Sequence, residues 1–318
     1  MRTSVGFFMS RANRVYDKQP LSLDGMIELM ESRGLLIPDK DRARHYLKYI
    51  NYYRLSGYGY LLEDEHTDGR RSHHYPNGAS FDDLLKLYIF DRRLRLLTLD
   101  AVERIEVGIR TVIASEMSRK YNNGYWYMDA ALFDERVGFS HAEFIGKVKG
   151  DTAKNSKQDS DRNVGREPFI THYYNNYNDP ELPPIWMLIE VMSLGTWSKV
   201  YSNLRISKDR KTIARVLDLP PTTLKSWLHS LNYLRNLCAH HSRIYGRKLA
   251  FPPAMRDGWP ELPPFAFSRF IAVVEYLLKS VSPDTDWKMR VKALIDSEPL
   301  VNPELLGIKD QSFWEHEL

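Results

Sequence analysis

Apolar positions recur along most of this chain at helical rather than strand spacing. Leu23, Met26, Ile27 and Met30 share one face of a segment that Ser22 caps at its start and Gly34 closes, which predicts a helix over Leu23 to Arg33. A second helix starts near Asp39 and runs through Ala43, Tyr46, Leu47 and Ile50. It leads into the aromatic run Asn51 to Tyr58, which reads as core packing; an RNA-stacking surface beside Arg54 is the other reading. Glu63 to Ser80, with Gly69, Pro76 and Gly78, reads as a loop. His66, His73 and His74 lie in it without a recognisable metal-ligand spacing.

The clearest period lies between Phe81 and Tyr121. Leu84, Leu87, Leu94, Leu97, Ala101, Ile105, Ile109 and Val112 follow the 3.6 repeat without a proline, predicting one very long helix or two in series. Arg92, Arg93, Arg95, Glu103, Arg104, Glu106, Arg110 and Arg119 are expected on its solvated faces in ion pairs at helical spacing. Asp129 to Asn178 is less regular, and Lys147 to Arg166 reads as a mobile surface insertion almost free of large apolar residues. Further helices are expected over Ile185–Met192, Thr196–Leu204 and Ser207–Val216. A long one capped by Thr222 should run toward Tyr245, and another should cover Phe267–Val281.

There is no run of alternating strands and no internal repeat. The expected fold class is therefore all-α, a multi-helical core with a smaller helical N-terminal lobe. The expected boundaries are a flexible leader over 1–19, a lobe over 20–66, a core over 81–282 with a surface insertion near 133–180, and a helical tail over 283–318. The leader could instead be upstream sequence ahead of a later natural start.

Composition narrows the functional classes. The 318 residues are 43% apolar and 27% charged, which argues against wholesale disorder. The net charge of +4 is mildly basic; it permits local nucleic-acid patches without arguing for them. The single cysteine, Cys238, excludes an intrachain disulfide and points to a reducing, cytoplasmic location. No stretch reaches the roughly 20 apolar residues of a membrane span, so no membrane association is expected.

Candidate chemistry concentrates in Trp227 to Arg243. Leu228, Leu231, Leu234 and Cys238 form a buried stripe, against which stand Arg235, Asn236, His240, His241 and Arg243. Asn236 and His240 are four apart and would share a helix face. Arg235 lies five before His240, about 140° round a helix, within reach of its long side chain. Histidine transfers protons near neutrality, and arginine holds a phosphate through two donors. Asn236 could orient the imidazole or donate to the phosphate. Such a set suits cleavage of an RNA phosphodiester, whose own 2′-hydroxyl is the nucleophile, so neither metal nor other cofactor is needed. The plain alternatives are a satisfied structural histidine and an ion-paired arginine. Cys238 lies on the apolar stripe, as inert packing rather than as a nucleophile. A zinc site through His229, His240 and His241 lacks a completing carboxylate.

The segment Arg235-Asn236-Leu237-Cys238-Ala239-His240 resembles the R-x4-H motif of HEPN domains. Asn51 to Tyr58, Phe90-Asp91-Arg92, Glu103 to Val107, Leu182 to Met187 and Glu190 to Thr196 stand in the same order as in the AbiD/AbiF abortive-infection family of bacterial phage-resistance proteins, which the chain resembles over about Pro20 to Leu249. The resemblance implies a HEPN-like helical bundle and a metal-independent, toxin-like endoribonuclease of antiphage defence. Only one R-x4-H copy is present, so a composite site would need a homodimer. The resemblance makes Arg235, Asn236 and His240 catalytic. RNA contacts are expected from His241, Arg243, Arg104, Arg110 and Arg54, with RNA as substrate and a small noncoding RNA as a further partner. A non-catalytic RNA-binding regulator and a HEPN nucleotidyltransferase are the competing functions.

Overall fold

A computed structural model of the chain describes residues 18–64, 72–136, 138–152 and 167–315. The described residues are all-α: they form thirteen α-helices and no sheet. The chain divides into two compact units, residues 1–85 and 86–318.

In the first unit, α1 (Leu23–Ser32) begins as expected, with the Ser22 hydroxyl accepting from the Gly25 N–H at 3.0 Å. Gly34 follows it in the left-handed region at φ 92°. Asp39 caps α2 (Lys40–Ile50) by accepting from the Arg42 N–H. The aromatic run becomes α3 (Tyr52–Gly59), and it divides rather than packing as a block. Tyr58 is buried and Tyr52 accepts a hydrogen bond from Arg33, whereas Tyr53 is 85% exposed.

The strong period yields one helix, α4 (Phe81–Tyr121), of 41 residues. Its first five residues belong to the first unit and the remainder to the second. Two of its charges depart from the solvated face expected for them. Arg95 is buried and ion-paired with Asp91, and Glu106 is also buried. Both sit where later segments of the second unit cross α4, so their burial depends on contacts far away in sequence. Gly108 marks another such crossing: a Cβ there would stand 2.4 Å from a Val281 methyl.

The stretch expected to be irregular contains two ordered helices, α5 (His141–Asp151) and α6 (Pro168–Asn176). An aromatic cluster of Trp126, Phe133, Phe139 and Phe144 packs at and beside the start of α5. The part of the expected insertion between 153 and 166 lies outside the described residues, as do the expected leader up to residue 17 and His66. α7 (Ile185–Val191), α8 (Leu194–Asn203) and α9 (Ser207–Val216) follow.

α10 (Pro221–Ala239) is the centre of the second unit and packs against α8, α9 and α11 (Phe267–Val281). Trp227, Leu228, Leu231 and Leu234 are fully buried along it. Its start and end both differ from the sequence expectation. Pro221 opens it instead of Thr222 capping it, because proline's fixed φ and missing N–H suit the first helical position. It stops at Ala239, six residues short of Tyr245, through a backbone motif described below. α12 (Trp287–Asp296) and α13 (Ser312–Glu315) complete the chain, and the Trp287 indole donates to the Leu97 carbonyl on α4 at 2.8 Å. Among the described residues, no helix is long and apolar enough to cross a membrane.

Candidate active site at the end of α10

The helix ends in a Schellman motif. The Ser242 N–H reaches back to the Leu237 carbonyl at 2.9 Å, and the His241 N–H to the Cys238 carbonyl at 3.1 Å. His240 is the C-cap residue, at φ −88° and ψ 13°. His241 takes the left-handed position at φ 59°, where glycine is usual and histidine is one of the less disfavoured alternatives. The two histidines therefore leave the helix rather than continue it. His240 and His241 are both exposed.

A buried carboxylate fixes the chain just beyond this turn. Asp91 accepts from the Ile244 N–H at 3.1 Å and the Tyr245 N–H at 2.8 Å. Its other oxygen pairs with buried Arg95. Two backbone donors and a guanidinium compensate the desolvated charge, the condition under which a buried ion pair holds a structure in one arrangement. The segment from Asn236 to Arg243 is thus anchored at both ends, by α10 on one side and by Asp91 on the other.

Fifteen residues along α4, Glu106 makes a second tie. One carboxylate oxygen accepts from the Leu194 N–H at 3.0 Å, at the start of α8, where a negative charge suits the helix dipole. Arg110 lies 3.7 Å from the same oxygen and donates to the Met192 carbonyl at 2.9 Å. Arg235 lies 3.8 Å from the other oxygen. At that separation the contact is Coulombic and not a hydrogen bond. Glu106 therefore holds the Arg235 guanidinium in place while leaving its donors unspent.

That property extends to the neighbouring groups. Among the described residues, the side chains of Arg235, Asn236 and His240 make no hydrogen bond, while Asp91, Arg95, Glu106 and Arg110 around them are all engaged. The Arg235 side chain is 40% exposed. The arrangement offers a bidentate cation, an amide and an imidazole to a ligand from outside.

The other residues proposed from the sequence are placed differently. Arg243 is half-buried just after the Schellman turn. Arg110 is turned inward as a brace, its side chain 14% exposed. Arg104 pairs with Asp100 along α4 at 2.9 Å. Arg54 stands exposed on α3 in the other unit. His229 is on α10 with its ring edge-on to Phe251. No group of three or more potential ligands able to hold a metal ion occurs among the described residues. Cys238 is buried, and desolvation, then the charge of Asp91, pushes its thiol up to about 12, with Arg95 opposing. It is a packed thiol rather than a nucleophile.

Reading the sequence alone missed the Asp91 clamp and the role of Asn232. Asn232 packs so closely on α8 that a Cβ at Gly195 would fall 2.9 Å from its side-chain oxygen. The signal for the clamp was present, because Asp91 falls on the apolar period of α4, where an isolated carboxylate requires a buried partner.

The sequence model of one family, described as Abi-like protein, matches residues 45–246. Comparison with curated proteins and with solved structures gives no match.

Proposed function

The chain belongs to the Abi-like protein family, and from that premise we propose that it is a metal-independent endoribonuclease of the HEPN type acting in bacterial abortive infection. The single observation that carries this reading is the uncommitted trio Arg235, Asn236 and His240, beside a scaffold whose carboxylates Asp91 and Glu106 are hydrogen-bonded within the protein.

The chemistry follows from the donor set. Arg235 binds the scissile phosphate through its free N–H groups and stabilises the charge that gathers as the phosphorus becomes five-coordinate. A neutral imidazole removes the proton of the adjacent 2′-hydroxyl, and the resulting oxygen attacks phosphorus. The bond from phosphorus to the 5′-oxygen breaks, and a protonated imidazole supplies the proton to that leaving oxygen. The products are a 2′,3′-cyclic phosphate and a free 5′-hydroxyl, with no atom gained or lost. One imidazole cannot be base and acid on opposite sides of the same phosphate in a single step. The chain has one such motif, so the second imidazole is His240 of a second copy, in a homodimer with facing α10 ends. Asn236 orients the phosphate or the imidazole.

The test is purified protein incubated with RNA in EDTA. Wild type cuts and leaves cyclic phosphate ends, while Arg235→Ala and His240→Ala lose cleavage and keep their thermal midpoint. Folded variants that cut as fast as wild type would remove both residues from the chemistry. Sedimentation of the wild type should give twice the chain mass, and mixed dimers of wild-type and His240→Ala chains, which hold a single His240 imidazole, should lose cleavage. RNA that binds tightly and is never cut would instead favour a regulator, and label transferred from ATP a nucleotidyltransferase.

A further inference from the structure

The polar face of α10 continues well away from the active-site trio. Lys225, His229, Asn232 and Asn236 follow one another at steps of four, three and four, so they form one stripe, about 15 Å long from Lys225 to the level of Arg235. Beside this stripe lie two adjoining cavities of about 300 and 330 Å³, formed between α5, α8 and α10. They share Gly138, Phe139 and Lys199 in their walls, so they adjoin along one trough. Asn232 lines its end nearer the trio; Lys225 and His229 line the other.

The trough has a cationic floor. Lys199 and Lys225 are exposed and have no ion-pair partner among the described residues. Lys147 is already paired with Asp151 at 2.9 Å, and Glu143 is the carboxylate that lines the trough. Two unpaired ammonium groups facing one trough are placed for phosphates.

An aromatic side chain stands at the same end. Phe251 is 52% exposed, and its ring lies edge-on to His229 at 4.6 Å and to Tyr233 at 5.4 Å. Its backbone is left-handed at φ 53°, which a bulky side chain rarely adopts. Two bonds hold it there: Ser230 donates to the Phe251 carbonyl at 2.7 Å, and the Ala250 N–H donates to the Tyr233 hydroxyl at 3.2 Å. Local strain used to keep an apolar ring in water is a feature of functional sites.

The geometry points to a binding track for single-stranded RNA that leads to the active site: phosphates on Lys199 and Lys225, and a base stacked on Phe251. It rests on the ribonuclease reading for the identity of its ligand. Unpaired cations alternating with an exposed aromatic are what a flexible single strand with free base faces requires, and a duplex would present no such face.

The probe is a fluorescein-labelled, fully 2′-O-methyl 12-mer of mixed sequence, which lacks the attacking hydroxyl and so reports binding alone by anisotropy. Lys199→Glu/Lys225→Glu should bind at least tenfold more weakly than wild type. Its log–log salt slope should be shallower by about 1.4, two single-strand phosphate contacts at about 0.7 each. Lys199→Gln/Lys225→Gln should shift the same way by less. Lys208→Glu/Lys211→Glu on α9, which makes the same change in net charge, should stay within threefold of wild type. Phe251→Ala should weaken binding about fivefold or more, with a smaller change in salt slope.

The track is overturned if the Lys199/Lys225 reversal binds no worse than the α9 control, or if it alters the oligomeric mass and leaves RNA affinity unchanged. The two readings fail separately. Cleavage of ordinary RNA by wild type, with unchanged probe binding in the reversal, removes the track alone. Loss of probe binding in the reversal, with no cleavage by any folded form, removes the ribonuclease alone and leaves the track standing.

Discussion

Two carboxylates on α4 meet the chain around the same motif, and they do opposite work. Asp91 is sealed with Arg95 and two backbone N–H groups, and both of its oxygens are engaged inside the protein. Glu106 is buried as well, but the arginine it attracts from α10 is 40% exposed and only Coulombically held. The first cluster spends its charges on fixing backbone; the second leaves an oriented cation with free donors. Arginine beside a carboxylate is therefore no signature of either structure or chemistry. What separates them is whether the guanidinium's hydrogen bonds are used up inside the protein.

The contrast is sharpest in stability. Asp91→Ala removes the carboxylate that pairs with buried Arg95 and leaves the Ile244 and Tyr245 N–H groups without it, and should cost about 3–5 kcal/mol in denaturant unfolding. Arg95→Met removes the other partner and should also destabilise, by breaking the same pair. A loss below about 1 kcal/mol for Asp91→Ala would show that the clamp is not needed to hold the α10 terminus. At the open cluster the effect moves from stability to rate. His240→Ala should lower RNA cleavage by about 10²–10⁴-fold, the usual contribution of a general acid or base, and should shift unfolding by less than about 1 kcal/mol.

Glu106→Gln is the intermediate case. The amide oxygen can still accept from Leu194, but the charge that orients Arg235 is gone. Cleavage should fall about tenfold while substrate affinity is kept or improved, because a positive group has lost its anionic neighbour. Weaker binding would mean that Arg235 positioning, and not its charge, governs affinity.

Smaller still is the left-handed residue. His241→Gly should leave stability within about 1 kcal/mol of wild type, whereas His241→Val should lose about 1–2 kcal/mol because a branched side chain resists positive φ. Equal melting of the two variants would argue that the turn relaxes freely. The smallest expected effect is on Cys238. With its thiol raised to about 12, it stays protonated through the neutral range, so the folded protein should resist iodoacetamide at pH 8 and react only on unfolding. Rapid labelling of folded protein would contradict its packed position.

Much of this architecture was legible as pattern. The cap at Ser22, a helix start near Asp39, the long α4 and the bounds of α9 and α11 follow from local spacing, capping chemistry and the absence of proline. Aromatic residues between Trp126 and Phe144 were less informative, since their order comes from rings meeting across turns rather than from a helical period. The motif residues could be picked out by type and spacing. Their geometry could not, because His240 was expected four residues along a continuing helix and instead sits where the helix ends.

By itself, then, the sequence determined an all-α chain and the positions of Arg235, Asn236 and His240, because helix periods and side-chain chemistry are local properties. Only the tertiary structure decided that Arg95 and Glu106 are buried, that Asp91 pins the turn after α10, and that Lys199 and Lys225 line one trough whose His229 wall touches Phe251. Those are long-range pairings. The free energy of burying a charge depends on which distant donors arrive to meet it, and no local pattern encodes that.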